Sequence, residues 1–482
     1  MSKNRAASRL QQRRARLLAQ APFFVLAAFL VLTFLTGGGA RADILSLLLL
    51  RPVSALVCGY AVYRLQRADI VKHRVLLALA AATVLLVGAY LVPLPPAWWH
   101  GLAGHQLIVQ TDAALGFADR WRPLSLAPTG TENALFSLLT PLAVLLLTIT
   151  LPPTQSARAT LVIIGLGLIS GALGILQILG PPAGPFYLYA ITNNGSSVGL
   201  FANRNHAAVF LACLFPFLAS VGTMDTSPDT RSRRLVAAAA MAIVLVPLIV
   251  ITGSRAGVAC AALGLIFAAM LYRHPSFSPR RHKPHFASRV SPAILAGIAA
   301  LVAIGVVAAL MRRGVLDRFQ NTADGSDSRL DSWREVMRIA SDHLPFGSGY
   351  GTFDDVFRIY EPTSQLAPTY LNHAHNDWLE LWMTGGVGAA AVLGTSLILG
   401  LSAVARVIRT RARRSDPTIG LARLGAAILS LMAVASAVDY PVRTPSLAAL
   451  CALCAAWLSM GATAVRDGAG ASFPERANLD RS

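Results

Sequence analysis

Apolar stretches of roughly the twenty-residue length needed to cross a bilayer begin near residue 22 and recur to the end of the chain. They fall at 22–40, 43–63, 75–93, 134–151, 159–179, 206–223, 235–252, 256–272, 292–311, 386–405, 419–438 and 445–463. Leu, Ala, Val and Ile fill them, and Arg51 is the main charge well inside one. This pattern predicts an all-α, polytopic integral membrane protein with about twelve transmembrane helices. Polar sequence gathers in a basic head over 1–20, one large loop over 312–385 and a short tail over 464–482. The spans up to 311 form one block, over 21–311, with longer outer loops near 94–133 and 180–205, and the remaining spans form another over 386–463.

Composition agrees with this picture. Of 482 residues, 55% are hydrophobic and 13% charged, where soluble domains carry about a quarter charged residues. The formal charge is +19, from 42 Lys and Arg against 23 Asp and Glu. On a soluble chain that excess would point to nucleic acid; here it follows membrane topology. With the head inside, alternate loops place Arg64, Arg67, Lys72 and Arg74 inside, then Arg231, Arg233 and Arg234. The next inside loops hold Arg273, Arg280, Arg281, Lys283 and Arg289, and then the cluster from Arg406 to Arg414. Nucleic acid is therefore excluded as a partner, and membrane lipids are implied. Ala40-Arg41-Ala42 after the first span imitates a signal-peptide cleavage site, but an uncleaved first span suits a polytopic chain. Cys451 and Cys454 stand one turn apart among Ala and Leu, so they read as small apolar helix residues rather than metal ligands.

Candidate chemistry collects in the outer loops. The segment near 94–133 carries Pro93, Pro95, Pro96, Trp98 and Trp99, which suits an interfacial anchor. In the large loop, Leu330, Trp333, Val336, Met337 and Ile339 recur at helical spacing. Ser328–Asp331 and Ser332–Glu335 both match the spacing of a capping arrangement. Pro345-Phe346-Gly347-Ser348-Gly349-Tyr350-Gly351 lacks the Gly-Lys-Ser/Thr of a phosphate loop and reads as a tight turn. His373 and His375, two apart, share no helix face and have no third ligand at metal spacing, which argues against zinc. A histidine there suits proton transfer near neutral pH or the capping of the next helix. Arg204 and Arg255 sit among small residues at outer mouths of spans. A guanidinium fork matches phosphate oxygens, and it equally suits an interfacial anchor.

Taken in order, Gly199-Leu200-Phe201-Ala202-Asn203-Arg204-Asn205-His206, Gly253-Ser254-Arg255-Ala256-Gly257 and the Arg329-Leu330-Asp331-Ser332-Trp333 run resemble the O-antigen ligase and polymerase superfamily. Pro345 to Phe353, His373 to Gly388 and the Asp439-Tyr440-Pro441 turn complete the likeness. The resemblance implies a GT-C-like bacterial inner-membrane glycosyltransferase, inverting and metal-independent, with no cofactor and a large periplasmic loop. Its donor would be a glycan on undecaprenyl pyrophosphate, and its acceptor a hydroxyl of lipid A-core or of another glycan chain. Ligase and polymerase both share these elements. His375 corresponds to the family histidine ahead of Asn and is the candidate catalytic base. Arg255 corresponds to the Ser-Arg arginine, and Arg204, Arg329, His373 and Asn376 join it as candidate substrate-binding residues. Many relatives place an arginine ahead of the Gly-x-Phe element, where this chain has Ser196 and Ser197, so Arg204 carries over by its loop rather than by its register. No Asp-x-Asp motif is present. A transporter of lipid-linked glycan would carry polar groups inside its spans near the midplane, and these spans hold few.

The charge distribution predicts that the loop from Pro345 to His375 faces outward and the Arg409–Arg414 cluster inward. A membrane-impermeant maleimide added to intact spheroplasts should modify Ser364→Cys and spare Ser415→Cys; the reverse labelling would invert the topology.

Overall fold

A computed structural model describes residues 2–222, 228–272, 326–363, 370–410 and 416–470. Nine of the described helices are long and apolar enough to cross a membrane. The principal helices are α1 (Ser2–Thr36), α2 (Leu47–Arg64), α3 (Arg74–Ala89), α4 (Pro128–Ser137), α5 (Leu139–Ile149), α6 (Ala159–Leu179) and α7 (Arg204–Gly222). They continue with α8 (Pro228–Val250), α9 (Arg255–Leu271), α10 (Ser326–Asp342), α11 (Phe353–Tyr360), α12 (Asp377–Arg409), α13 (Pro417–Ala435) and α14 (Pro445–Gly470). Helices α3 and α9 are apolar but shorter than the rest of the spans. The span expected at 292–311 lies outside the described residues. Strand structure among the described residues is confined to one antiparallel bridge, Pro93 opposite Pro123 and Leu94 opposite Arg122. The chain is thus all-α and polytopic.

Helix α7 is the centre of the bundle. His206 and the run from Ala207 to Leu218 are buried, so the helix is enclosed on all sides rather than along one stripe. Its tightest neighbour is α9, and glycine makes the approach possible. A Cβ on Gly257 would stand 2.2 Å from that of Ala208, and one on Gly264 would stand 2.6 Å from the Ala212 carbonyl oxygen. Close backbone approach through small residues is how helices associate where lipid supplies no hydrophobic drive. These contacts advance together along both chains, so α7 and α9 run parallel and begin at the same end. On the outside of the bundle Leu48, Leu56, Leu85, Ile243, Ile398 and Leu401 are exposed, an apolar surface that suits lipid.

Helix α12 is broken once. Gly386 has φ 52 and ψ −142, a backbone that only glycine adopts readily. The break frees backbone groups in an apolar setting, and each must find a partner. The glycine-rich turn supplies them: Ser348 N–H donates to the Met383 carbonyl at 3.1 Å and Gly349 N–H to that of Thr384 at 2.8 Å. Val387 N–H donates in turn to the Pro345 carbonyl at 2.9 Å. The Gly385 carbonyl accepts from the Tyr90 hydroxyl at 3.1 Å. Gly347, Gly349 and Gly351 all have positive φ, and that lets the turn lie flat on the kink. The tight turn expected from the sequence is therefore a clamp on a broken helix.

Several elements depart from expectation. The sequence starts a span at 386, whereas in the structure α12 begins at Asp377 and continues across the Gly386 kink. Ser328–Asp331 and Ser332–Glu335 are not caps, because α10 already runs from Ser326 and both pairs lie within it. In the 93–126 excursion Trp98 is exposed while Trp99 is buried, its indole donating to the Pro123 carbonyl at 2.8 Å. A Cβ on Gly386 would sit 2.3 Å from the Pro345 carbonyl oxygen, whereas one on Gly394 meets nothing within 4 Å. Gly386→Ala should therefore lower the detergent-solubilised unfolding temperature, at a cost of at least about 1–3 kcal/mol. Gly394→Ala should leave that temperature unchanged or slightly raised, and an equal loss in both would contradict the clamp.

Candidate active site

The polar centre lies at the end of the bundle where α7, α9, α12 and α14 begin. Asn376 caps α12, its side-chain oxygen accepting from the N–H groups of Trp378 and Leu379, both at 3.1 Å. The first two turns of α12 then bury Asp377 and Glu380, three residues apart on one face. Buried carboxylates need partners, and Arg443, just before α14, serves both. Its Nε donates to Asp377 Oδ1 at 3.0 Å, and its Nη2 lies 3.4 Å from Glu380 Oε1 as an ion pair. Burial works against the Arg443 charge, but Glu380 and Asp377 outweigh it and raise its pKa. Ser436 completes Asp377, its hydroxyl donating at 2.9 Å to Oδ2.

Glu380 in turn holds the histidine segment. It accepts the Ala374 N–H at 3.0 Å, and His373 Nδ1 lies 3.0 Å from its Oε1. The Ala374 carbonyl accepts from the Trp333 indole of α10 at 2.8 Å, so the peptide between the two histidines is pinned from both sides. His375 follows with φ 50, a left-handed backbone unusual for a side chain with a Cβ. Its ring meets a different acid from that of His373: Nδ1 lies 3.0 Å from Oδ1 of Asp439. Burial, the largest single influence, would raise the Asp439 pKa, but the His375 hydrogen bond, the charges of His206 and His375 and a hydrogen bond from Asn205 together outweigh it and hold the carboxyl well below the usual range. Its share of stability is then full above about pH 4 and lost as the pH falls through the depressed value.

Tyr440 joins these groups. Its ring centroid lies 4.5 Å from that of His373, 4.8 Å from His375 and 4.9 Å from His206. Its hydroxyl accepts from the Asn203 amide at 3.4 Å, and burial pushes its pKa up, so it stays protonated. His206 is buried in the first turn of α7, and neither of its ring nitrogens has a hydrogen-bond partner among the described residues. Arg204, the first residue of α7, is half-buried, and its N–H donates to Asn193 at 3.0 Å. Arg255 is exposed as the first residue of α9, behind Ser254, whose hydroxyl accepts the Gly257 N–H at 2.9 Å. The parallel pairing of α7 and α9 puts both arginines at the end that holds His375. Arg329 falls on α10, with its side chain outside the described residues. Asp377, Glu380 and Asp439 lie in stretches that carry the resemblance, but neither they nor Arg443 figure among the catalytic or substrate-binding residues expected from the sequence. Their signal was charge kept beside spans that otherwise exclude it, in the Asp377–Glu380 pair and in the short 436–444 link.

Buried acid–imidazole pairs at one end of an apolar helical bundle define a multi-pass membrane protein with a polar site at the mouth of its spans. A family model described as O-antigen ligase matches residues 239–394, so this segment of the chain is similar to that family. The match includes Arg255, Arg329 and the segment from His373 to Glu380, and it ends before Asp439 and Arg443. No curated protein matches the chain.

Removing the arginine that Asp377 and Glu380 share leaves uncompensated buried charge. Arg443→Met should destabilise the protein by about 3–5 kcal/mol. The deficit should shrink toward acid pH, where protonation relieves the stranded carboxylates. Chemical unfolding of the purified variant at two pH values measures both effects, and a deficit independent of pH would point to lost packing instead.

Proposed function

We propose that this protein transfers a glycan from an undecaprenyl-pyrophosphate-linked donor to an acceptor hydroxyl at the periplasmic face of the inner membrane. The reaction is an inverting displacement that uses no metal. The observation that carries this reading is the His375–Asp439 pair at the mouth of the bundle, with arginines beginning α7 and α9 at the same end. His375 Nδ1 faces an ionised carboxylate, which can only accept, so in the neutral ring Nδ1 bears the proton and Nε2 holds the lone pair. Nε2 takes the proton of the acceptor hydroxyl as that oxygen forms its bond to the anomeric carbon. The electron pair of the breaking carbon–oxygen bond leaves with the pyrophosphate from the opposite side. Asp439 then faces the imidazolium that has formed and stabilises it. Arg255 and Arg204 provide bidentate donors for the departing pyrophosphate, whose charge they meet without a divalent ion.

Ligation onto lipid A-core is the first form of this activity, and chain extension on lipid-linked repeats is its alternative. A deletion strain separates them: unattached polymer accumulates without the ligase, and only single repeats remain without the polymerase. The chemistry is tested with purified protein and a prenyl-pyrophosphate saccharide. His375→Ala should reduce kcat by about 10²–10⁴ and leave the fold intact. Asp439→Asn should lose rate with little change in KM, and Arg255→Ala should abolish transfer. EDTA should leave the wild-type rate unchanged. Full transfer by His375→Ala would remove the assigned base.

A further inference from the structure

The site holds two acid–imidazole pairs and not one. His373 Nδ1 lies 3.0 Å from Glu380 and His375 Nδ1 lies 3.0 Å from Asp439. Both acids are buried, at 1% and 2% side-chain exposure, while the two imidazoles keep 15% and 19%. Among the described residues no hydrogen-bond partner occupies Nε2 of either ring. The pairs differ in their cations. Glu380 is also met by Arg443 and by the Ala374 N–H. Asp439 has no ion-paired arginine among the described residues.

Resting on the transferase reading, we infer that the two Nε2 atoms form a paired acceptor site for two hydroxyls of one acceptor sugar. His375 takes the proton of the attacking hydroxyl. His373 accepts a hydrogen bond from the neighbouring hydroxyl, whose O–H bond stays intact, and so turns the attacking oxygen toward the donor. His373 is on this reading a specificity-determining residue for acceptors with adjacent hydroxyls. The Tyr440 ring packs against both imidazoles, 4.5 Å from His373 and 4.8 Å from His375 between centroids. A neutral ring with its proton on Nδ1 offers an acceptor at Nε2 and no second donor, which matches a sugar hydroxyl and not a phosphate.

The test uses the purified full-length protein with a prenyl-pyrophosphate disaccharide as donor. The acceptors are methyl hexopyranosides and their monodeoxy derivatives. With an intact acceptor, His373→Ala should raise acceptor KM about tenfold, the size of one lost hydrogen bond with some misalignment, and lower kcat less. Removal of the hydroxyl adjacent to the nucleophile should raise the wild-type KM by a similar factor. On that deoxy acceptor His373→Ala should then change KM by less than about twofold, because the partner is already gone. His373→Gln, which keeps an acceptor oxygen near the Nε2 position, should recover part of the loss. Equal effects of His373→Ala on intact and deoxy acceptors would overturn the inference and leave the transferase reading standing. A rise confined to donor KM, or coupling to a hydroxyl of the donor sugar, would also overturn it by assigning His373 to the donor. Absence of transfer by the wild type to every acceptor would reject both readings together.

Discussion

The ion contacts of Arg443 with Asp377 and Glu380 are the interaction on which the rest of the site depends. Two carboxylates one turn apart at the start of α12 cannot both be buried without a cation, and the link before α14 supplies it. The consequence runs beyond neutralisation. With its charge met, Glu380 is free to receive the Ala374 N–H and His373, and so the backbone of the histidine segment is tied to the helix that follows it. The left-handed φ of His375 is sustained by this over-determination: Ala374 is anchored by Glu380 and Trp333, and Asn376 by its capping bonds. Between those fixed residues His375 has one remaining task, which is to face Asp439.

The broken helix solves a second problem. Before Gly386, α12 carries polar and charged residues that belong at a membrane boundary; after it the sequence is almost wholly apolar. A continuous straight helix would give both halves one direction. The kink lets the polar turns dock on α10 and the 436–444 link while the apolar half follows the bundle. Its cost would be unpaired peptide groups near lipid, and the glycine-rich turn with Tyr90 removes that cost by pairing them. Glycines that look like a phosphate loop in the sequence are required here because another backbone lies within contact distance.

Much of the bundle was legible from length and hydropathy alone, since a bilayer imposes both on every span. Apolar stretches such as 159–179 and 445–463 coincide closely with helices. The site was legible only where its residues share a stretch of chain. His373, His375 and Asn376 stand together in sequence, and Arg204 and Arg255 each sit at a helix start. Asp439 and Arg443 meet them only through tertiary packing, with separations of about sixty residues. The Asp439-Tyr440-Pro441 turn enters only as part of a resemblance, and no local periodicity marks Asp439 and Arg443 as partners of the histidine segment. The kink was missed for the same reason: Gly385-Gly386 signals an end, and only the clamp that receives the free peptide groups lets the helix resume.

Charge at this end of the bundle is balanced between side chains and backbone. Asp377, Glu380 and Asp439 are buried there, the first two ion-paired with Arg443 and the third facing His375. The helix starts of α7, α9, α12 and α14 add partial positive charge from their unpaired N–H groups. Asp377 and Asn376 use that of α12, whereas α7 and α9 open with Arg204 and Arg255 and have no acid in their first turns. The negative charge is therefore sequestered behind the imidazoles, and the positive charge is displayed on the α7–α9 side. An arrangement of that polarity favours an anionic group on the arginine side and an uncharged, hydroxyl-bearing one on the histidine side. It also gives a reason for the close α7–α9 pairing. Gly257 against Ala208 brings the two helix starts, and with them the two arginines, to the same depth, which a larger residue at either position would spread apart.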